Sequence, residues 1–443
     1  MEDFRESFRG KKITVLGLGL LGRGVGDAEF LAQSGVHVLV TDRKSEAELA
    51  ESVAKLKGYS NITFHLGGHR AEDFTNCDMV IKAAGVPLNS PEVAAARAAG
   101  VSVAMSTALF AQYAAEAGAT VVGVTGTRGK STVAHMIFHS VTQAGRRAHL
   151  GGNIRGKSTL AMAPGVNKGD ICVLELDSWQ LQGFGDMSIS PHIAVFTNLM
   201  PDHQNYYPDM ETYFFDKAHI FRYQKQGDVL IGGAAIADRI RASKPPLDPI
   251  IPEPIPRDWK LRILGEHNRE NASFAVAALA ALGLTDEEIQ SGVESFEGVE
   301  GRLQFVREVN GVKMYNDNNA TTPAATIAAL RALNVGFTKP HIVLIVGGAD
   351  KGLDVTELIG EIQRTCKRVV LLAGTGTNRL KRELPNASVF DSLREACSSA
   401  IDASEPGDVI LFSPAFASFG MFKNEYDRND QFLDIVRTME GAA

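Results

Sequence analysis

The stretch VVGVTGTRGKSTVAHMIFHSV, which spans Val121–Val141, decides the fold of the surrounding chain. A short apolar run leads into the glycine-containing segment Gly126–Thr132, and a helical pattern of apolar residues follows. Glycines allow backbone N–H groups to approach an anion closely, and the N-terminus of the following helix adds a positive dipole. The stretch therefore predicts a phosphate-binding turn between a buried strand and a helix of an α/β domain.

The side chains of this turn suit a nucleoside triphosphate. Lys130 is placed to reach the β- and γ-phosphates, and Ser131 or Thr132 to ligate Mg²⁺. The spacing departs from the usual G-x-x-x-x-G-K-[ST] pattern, because Gly123 lies one residue too early. A glycine-rich turn with an incidental lysine is the structural alternative.

Two later strand-like segments end in residues that bind divalent cations. Glu175 follows the apolar run in LELDSWQ, and His203 follows Asp202 in TNLMPDHQNYY. Carboxylate and imidazole groups at the ends of neighbouring strands could hold divalent metals beside bound phosphates. Taken singly, each residue is equally compatible with a solvated strand end.

Short apolar segments alternate with helical patterns along the whole chain. This alternation is typical of α/β domains in which mainly parallel sheets carry helices on their faces. The length of 443 residues predicts three domains at about 150 residues each. We place a Rossmann-like domain at residues 1–107, a central P-loop ATPase domain with a mainly parallel sheet at 108–298, and a second Rossmann-like domain at 299–443. The proline-dense segment Lys244–Pro256 is predicted to be irregular.

The N-terminal segment carries a second glycine-rich turn. GLGLLG (Gly17–Gly22) matches G-x-G-x-x-G, and Asp42 ends the next apolar strand. A turn and an acid in this order form a dinucleotide-binding fingerprint, so the segment alone suggests an NAD-dependent oxidoreductase. The phosphate turn and the candidate metal ligands of the central segment argue against that function. Asp42 could also be a solvated strand end.

Bulk composition argues against several kinds of partner. A formal net charge of -7 disfavours a general nucleic-acid-binding surface. The four cysteines are scattered without a CxxC pair, which indicates reduced thiols rather than a zinc site or a disulfide framework. The N-terminus lacks an apolar signal segment, and no apolar stretch approaches the roughly 18 residues that a membrane helix requires. We therefore expect a cytoplasmic protein with no membrane or nucleic-acid partner.

An ordered series of motifs across nearly the whole chain resembles the Mur ligases. The series runs GTRGKST, ELDSWQL, NLMPDHQNYY, FFDKAHIF, GEHNRENASFAVAAL, GRLQF, YNDNNATTP, GGADKG and SPAFASFGMFKNEYDRNDQF. The resemblance implies a monomer with a UDP-binding first domain, an ATPase second domain and a third domain that binds the amino acid. It also implies ATP-dependent amide formation through an acyl phosphate, with D-glutamate as the amine. The implied acceptor is UDP-N-acetylmuramoyl-L-alanine, a peptidoglycan precursor.

The resemblance also implies which residues bind each ligand. The implied catalytic residues are Lys130, His203 and Lys217. The implied ATP-binding residues are Gly126, Thr127, Arg128, Gly129, Lys130, Ser131, Thr132, Asn268, Asn271, Arg302 and Asp317. Those implied for the UDP substrate are Gly19, Leu20, Leu21, Asp42, Arg43, Gly85 and Asn153. Those implied for glutamate are Thr321, Lys351, Ser418 and Phe419. Mg²⁺, at two sites, is implied to be held by Ser131, Glu175, His203 and Lys217.

Lys217 in YFFDKAHIF raises a chemical question, because an ammonium group repels Mg²⁺. In many Mur ligases this lysine is carbamylated, which converts a cation into an oxygen ligand. Aromatic surroundings would favour the neutral amine that reacts with CO₂, since burial lowers the pKa of a lysine. A surface lysine whose stem packs on apolar neighbours is the structural alternative.

The third segment departs from the family pattern at two positions. Asn319 in NDNNATT stands where D-glutamate-adding members commonly have lysine, and Glu425 in FKNEYDR stands where phenylalanine is usual. An acid in contact with glutamate would repel it, so we expect either that Glu425 points elsewhere or that Tyr426 takes its place. These departures leave the stereochemistry of the added glutamate open, so an L-glutamate-adding ligase is an alternative. Two further alternatives are another amide ligase, such as a folylpolyglutamate synthase, and an inactive nucleotide-binding paralogue.

Overall fold

A computed structural model of the chain describes residues 4–20, 22–203 and 206–439. It confirms the α/β class, because strands alternate with helices along the chain in each of three sheets. The chain separates into two compact units. Unit 1 comprises the chain up to Ile255 together with Asn271–Val293, and unit 2 comprises Pro256–Glu270 and the chain from Glu294 onward. Unit 1 contains two separate sheets, and its division near residue 107 stays a prediction.

The first sheet of unit 1 is wholly parallel, in the order β3-β2-β1-β4-β5. The strand order reverses beside β1, so the turn after β1 lies where open α/β sheets bind their ligands. The strands are β1 (Lys12–Leu16), β2 (His37–Asp42), β3 (Ile62–Leu66), β4 (Met79–Lys82) and β5 (Ser102–Ala104), and the helices are α1 (Arg23–Gln33), α2 (Ala50–Leu56), α3 (Glu72–Thr75) and α4 (Pro91–Ala98).

The second sheet of unit 1 is also parallel, in the order β10-β9-β6-β8-β7, and its order reverses beside β6. Buried apolar residues fill both of its faces, as parallel strands covered by helices require. The strands are β6 (Thr120–Thr125), β7 (Ala148–Gly152), β8 (Ile171–Glu175), β9 (Ile193–Phe196) and β10 (Val229–Gly232). The helices from α5 to α11 are Ser106–Glu116, Lys130–Gln143, Ser178–Asp186, Met210–Ala218, Ala234–Ala242, Glu266–Ala281 and Asp286–Ser295.

The third sheet belongs to unit 2 and is mixed, in the order β11-β12-β16-β13-β14-β15. Only β11 and β12 are antiparallel among the pairs of this sheet that the structure describes. The strands are β11 (Gln304–Val309), β12 (Val312–Asn316), β13 (Ile342–Gly347), β14 (Cys366–Leu372), β15 (Ser388–Phe390) and β16 (Val409–Phe412). The helices are α12 (Pro323–Leu333), α13 (Thr356–Thr365), α14 (Thr377–Glu383), α15 (Leu393–Asp402) and α16 (Glu425–Thr438).

Among the connections, the structure confirms one segment that is predicted to be irregular and adds one β-hairpin. The proline-dense segment Lys244–Pro256 has neither helix nor strand, in a part of the chain that the structure describes in full. The hairpin β11–β12 was not predicted, although Asn310 and Gly311 both take positive φ angles, 53° and 77°. Asn-Gly is a strong signal for a two-residue hairpin turn, so the sequence contained the information. Among the described residues no helix is long and apolar enough to cross a membrane.

Candidate active site

The predicted phosphate turn is formed between β6 and α6. Gly129 precedes the first residue of α6 with φ of 84°, a left-handed conformation that favours glycine. Gly126 has φ of 144°, and a Cβ atom there would lie 1.9 Å from the hydroxyl oxygen of Thr197. The backbone therefore requires glycine at both positions. The turn leads into a 14-residue helix, whose N-terminus is suited to an anion.

Residues that follow β9 hold the turn in place. The backbone N–H of Thr127 donates to the carbonyl oxygen of Asn198 (3.0 Å). The N–H of Arg128 donates to the side-chain oxygen of Asn198 (2.9 Å), and the Thr197 hydroxyl donates to the carbonyl oxygen of Arg128 (2.7 Å). Asn198 is a neutral amide, so it fixes the turn without adding negative charge.

Two lysines converge on the carbonyl oxygen of Gly126. Lys130 Nζ donates to it at 3.0 Å and to the Thr127 carbonyl at 3.1 Å. Lys217 Nζ, from α8, also donates to the Gly126 carbonyl at 3.0 Å. Lys217 is 1% exposed, and its Nζ lies 4.8 Å from the centre of the Tyr213 ring. Burial, and then the charge of Lys130, hold the pKa of Lys217 well below its usual value.

A buried carboxyl group adjoins Lys217 in α8. Asp216 accepts hydrogen bonds from Gln182 Nε2 (2.8 Å) and from the Tyr207 hydroxyl (3.0 Å), and burial raises its pKa. Sequence reasoning missed these three residues, because they come from separate segments and match no spacing rule. Only the position of Asp216 next to Lys217 could have indicated it.

Two of the predicted metal ligands, Glu175 and His203, differ in their environment. Glu175 ends β8 and is buried. His203 has φ of 54°, its ring centre lies 4.6 Å from that of Trp179, and burial lowers its pKa, which favours the neutral, ligating form. Carboxylate and hydroxyl oxygens are donors that fit Mg²⁺, whereas imidazole is the more usual ligand of zinc, copper, iron and nickel. Across the described ranges, however, no three His, Cys, Asp or Glu side chains are grouped so as to hold a metal, so this ligand set stays a prediction.

In the first glycine-rich turn, Asp42 contacts the protein backbone. Its carboxylate accepts from the N–H groups of Leu18 (2.9 Å) and Gly19 (3.2 Å), and from that of Lys44 (2.9 Å). Asp42 is buried, so it is not a solvated strand end. It shapes the turn that is predicted to receive the UDP substrate.

The other residues predicted for the UDP substrate differ in exposure and contacts. Leu20 is 55% exposed, and Leu21 lies outside the described residues. Gly85 lines a cavity of about 160 Å³ together with Asp42, Arg43, His69 and Glu92. Asn153, which follows β7, accepts a hydrogen bond from Arg23 Nη1 through its side-chain oxygen (2.9 Å).

The residues predicted to bind ATP are divided between the units. Asn271 belongs to unit 1, where a Cβ on Gly129 would lie 2.3 Å from its side-chain oxygen. Asn268, Arg302 and Asp317 belong to unit 2. Asp317 accepts from the Leu303 N–H (3.0 Å) and the Ser413 hydroxyl (2.8 Å), and burial raises its pKa to about 7.

The structure brings most of the predicted glutamate residues into neighbouring loops of unit 2. Lys351 Nζ donates to the Thr321 hydroxyl at 3.1 Å. Ala417 pairs with Ala349 through two backbone hydrogen bonds, which places the segment containing Ser418 beside the loop containing Lys351. Phe419 is 68% exposed.

The loop after β12 is built around a buried arginine that the sequence did not indicate. Arg428 is 0% exposed, and its guanidinium donates to the side-chain oxygen (2.8 Å) and the carbonyl oxygen (2.9 Å) of Asn318. Asn318 in turn donates to the carbonyl oxygen of Glu425 (2.9 Å). Asn319 donates to the carbonyl oxygen of Glu300 at 3.3 Å, so this side chain contacts the backbone.

Three family models match successive parts of the chain. They are described as Mur ligase MurD-like, N-terminal domain (residues 11–105), Mur ligase middle domain (124–243) and Mur ligase, glutamate ligase domain (301–416). Their order agrees with the order of the three sheets.

Relatives and solved structures match over almost the full length. The UDP-N-acetylmuramoylalanine--D-glutamate ligase of Roseiflexus sp. is 36% identical, over 97% of this chain and 99% of that protein. The structure of UDP-N-acetylmuramate-alanine ligase from Thermotoga maritima has a TM-score of 0.64 at 19% identity, covering 97% of this chain and 100% of the other. A MurF ligase from the same organism, in complex with ADP, has a TM-score of 0.58 at 14% identity and covers 90% and 93%. The two structures share the fold with this chain.

Proposed function

The chain belongs to the Mur ligase family, and we propose that it joins D-glutamate to UDP-N-acetylmuramoyl-L-alanine with ATP, in peptidoglycan precursor synthesis. The observation that carries the ATP-dependent step is the pair of lysine amines on the Gly126 carbonyl, at the start of α6. The substrates are those for which the full-length relatives are named.

The reaction would begin with phosphoryl transfer at the second glycine-rich turn. The substrate carboxylate attacks the γ-phosphorus, the bond to ADP breaks, and an acyl phosphate forms. Lys130 would stabilise charge on the transferring group, since such transfers depend on positioning and charge neutralisation. Mg²⁺, when bound, neutralises further phosphate charge, and Ser131, Glu175 and His203 would hold it.

Amide formation would follow with the amino group of glutamate. The amine attacks the acyl carbon, a tetrahedral intermediate forms, and inorganic phosphate leaves as the C–N bond is completed. Lys351, hydrogen-bonded to Thr321, would bind the side-chain carboxylate of glutamate. Ser418 and Phe419 would complete the pocket.

Lys217 is proposed to act as a carbamate. Its buried, neutral amine would add to CO₂ with formation of an N–C bond and release of one proton. The resulting oxygens would ligate a second Mg²⁺. Burial beside Lys130 supports the proposal, because a second ammonium group at this place is unfavourable.

The location and assembly of the enzyme are also proposals. Four free cysteines in the described chain suit a reducing compartment, which supports the cytoplasm. We propose a monomer, as the family resemblance implies.

L-glutamate is a second candidate substrate, because this chain departs from the pattern of the D-glutamate-adding members at Asn319. Asn319 supplies no cation and contacts the Glu300 carbonyl, so charge near the amino-acid pocket differs from the family pattern. Glu425 contributes its backbone carbonyl to Asn318 and lies in the first turn of α16. The full-length relatives favour D-glutamate.

Phosphate release tests the assignment. Purified protein with Mg²⁺, ATP and UDP-N-acetylmuramoyl-L-alanine should release phosphate when D-glutamate is added and not when L-glutamate is added. Release with L-glutamate alone would replace the proposal by the second candidate. No release with either amino acid would overturn the ligase assignment.

A further inference from the structure

A cavity of about 240 Å³ adjoins the first glycine-rich turn in unit 1. Its walls include residues 17–20 of the turn, residues 83–85 after β4, and the side chains of Arg23, Asp27 and Lys82. The UDP substrate is predicted to bind at this turn, so the charges in the cavity wall decide how a diphosphate could be held.

The backbone of the turn is already partly occupied. The carboxylate of Asp42 accepts from the N–H groups of Leu18 and Gly19, within the kind of turn whose second glycine lets the backbone approach a pyrophosphate. A carboxylate at this place also adds negative charge. Cationic side chains would therefore stabilise a diphosphate bound here.

One of the two cations in the cavity wall is engaged with the protein. Lys82 Nζ donates to the carbonyl oxygens of Val86 (2.9 Å) and Ala83 (3.4 Å), and burial lowers its pKa to about 8. Lys82 thus fixes the loop after β4. Arg23, the first residue of α1, remains as the cation with unused donors.

Arg23 and Asn153 form a donor pair from two parts of unit 1. Arginine has only donors, so the Asn153 atom 2.9 Å from Arg23 Nη1 is the amide oxygen. The amide NH₂ of Asn153 is consequently turned away from Arg23. Within the described residues Arg23 makes no other side-chain hydrogen bond, so four of the roughly five guanidinium N–H groups are unused.

We propose that Arg23 is a further contact to the diphosphate of the UDP substrate and orients the amide of Asn153, which the family resemblance already implies for this substrate. The inference rests on the proposed function, because it deepens the account of that substrate. A guanidinium stays charged at any relevant pH and matches phosphate oxygens with two parallel N–H groups. Arg23 thereby supplies the positive charge that Asp42 removes from the turn.

Binding of UDP and of uridine to the full chain tests the proposal. In calorimetric titrations, Arg23→Gln should weaken UDP binding by about 10-fold or more and change uridine binding by less than about 2-fold, since only UDP carries the diphosphate. KM for the UDP substrate should rise by a similar factor while kcat and KM for ATP stay near their wild-type values. Arg9→Gln is the matched control, because Arg9 is an exposed arginine paired with Glu6.

Asn153→Asp provides an independent test in the same titrations. It keeps the acceptor for Arg23 and replaces the NH₂ donor by a negative oxygen, so UDP binding should fall while uridine binding persists. If Arg23→Gln fails to fold by circular dichroism, this variant decides alone. Unchanged UDP affinity in a folded variant, or equal weakening of UDP and uridine, would overturn the proposal. Wild-type binding of UDP without any phosphate release would instead contradict the proposed function and leave the diphosphate contact standing.

Discussion

Unit 1 contains two glycine-rich turns that each end in a glycine of nearly the same conformation but have different electrostatic surroundings. Gly22 precedes α1 with φ 82° and ψ -14°, and Gly129 precedes α6 with φ 84° and ψ -16°. Each turn follows the strand beside which its sheet reverses order. The first turn is held by the carboxylate of Asp42, and the second by the neutral amide of Asn198.

The comparison shows that the turn alone does not determine its ligand. In the second turn a neutral partner leaves the field of the helix N-terminus intact, and the charge of Lys130 adds to it. In the first turn Asp42 offsets that field, so binding of a diphosphate depends on an added cation, Arg23. The neighbouring strand ends, which lie far away in sequence, set this difference.

The largest effect is expected from a substitution in the second turn that leaves the first turn unchanged. Lys130→Ala should lower kcat/KM for ATP by about 10³-fold or more. The substitution removes the lysine that stabilises negative charge on the transferring phosphoryl group. Phosphate release under saturating UDP substrate and D-glutamate measures it. Lys57→Ala, at an exposed lysine paired with Glu46, is the control. A decrease in kcat/KM of less than about tenfold would show that Lys130 does not take part in phosphoryl transfer.

A substitution at Lys217 tests the carbamate proposal separately from the charge of Lys130. Lys217→Ala should lower turnover by about 10²-fold or more, because the metal-binding oxygens can no longer form. High bicarbonate should not restore activity, since no amine remains to react with CO₂. Normal turnover by this variant would contradict the carbamate proposal.

Replacing the neutral amide at the second turn by a carboxylate, as in the first turn, sharpens the comparison. Asn198→Asp keeps an oxygen acceptor for the Arg128 N–H but places a carboxylate at the ATP turn. KM for ATP should rise by about tenfold, with KM for the UDP substrate unchanged, because the added charge repels phosphate. Steady-state kinetics with each substrate varied in turn measures the effect, and equal changes in both KM values would contradict it.

The smallest expected effect concerns the stability of the first turn. Asp42→Asn should lower the free energy of unfolding by about 1–3 kcal/mol, because an amide has one oxygen and must turn its NH₂ toward a backbone N–H. Urea denaturation followed by circular dichroism measures this change. An unchanged midpoint would show that the three hydrogen bonds of Asp42 do not stabilise the fold.

The sequence predicts the fold and the glycine turn between β6 and α6 because both depend on local patterns. Strand, glycine turn and helix follow each other in the chain, so Gly126, Gly129 and Lys130 were found from spacing. Contacts between distant segments were not found. Asp216 with Gln182 and Tyr207, and Arg428 with Asn318, pair through the packed fold, and no periodicity encodes them. The hairpin at Asn310–Gly311 differs from these contacts, since its turn signal is local and lies in two adjacent residues.

A crossed binding experiment tests the central claim that the two turns bind different phosphate groups. ATP and UDP are each titrated into the wild type, Lys130→Ala and Arg23→Gln. Lys130→Ala should lose affinity for ATP and keep that for UDP, and Arg23→Gln should show the reverse. If either substitution weakens both nucleotides to the same extent, the two turns do not act as separate sites and the account is contradicted.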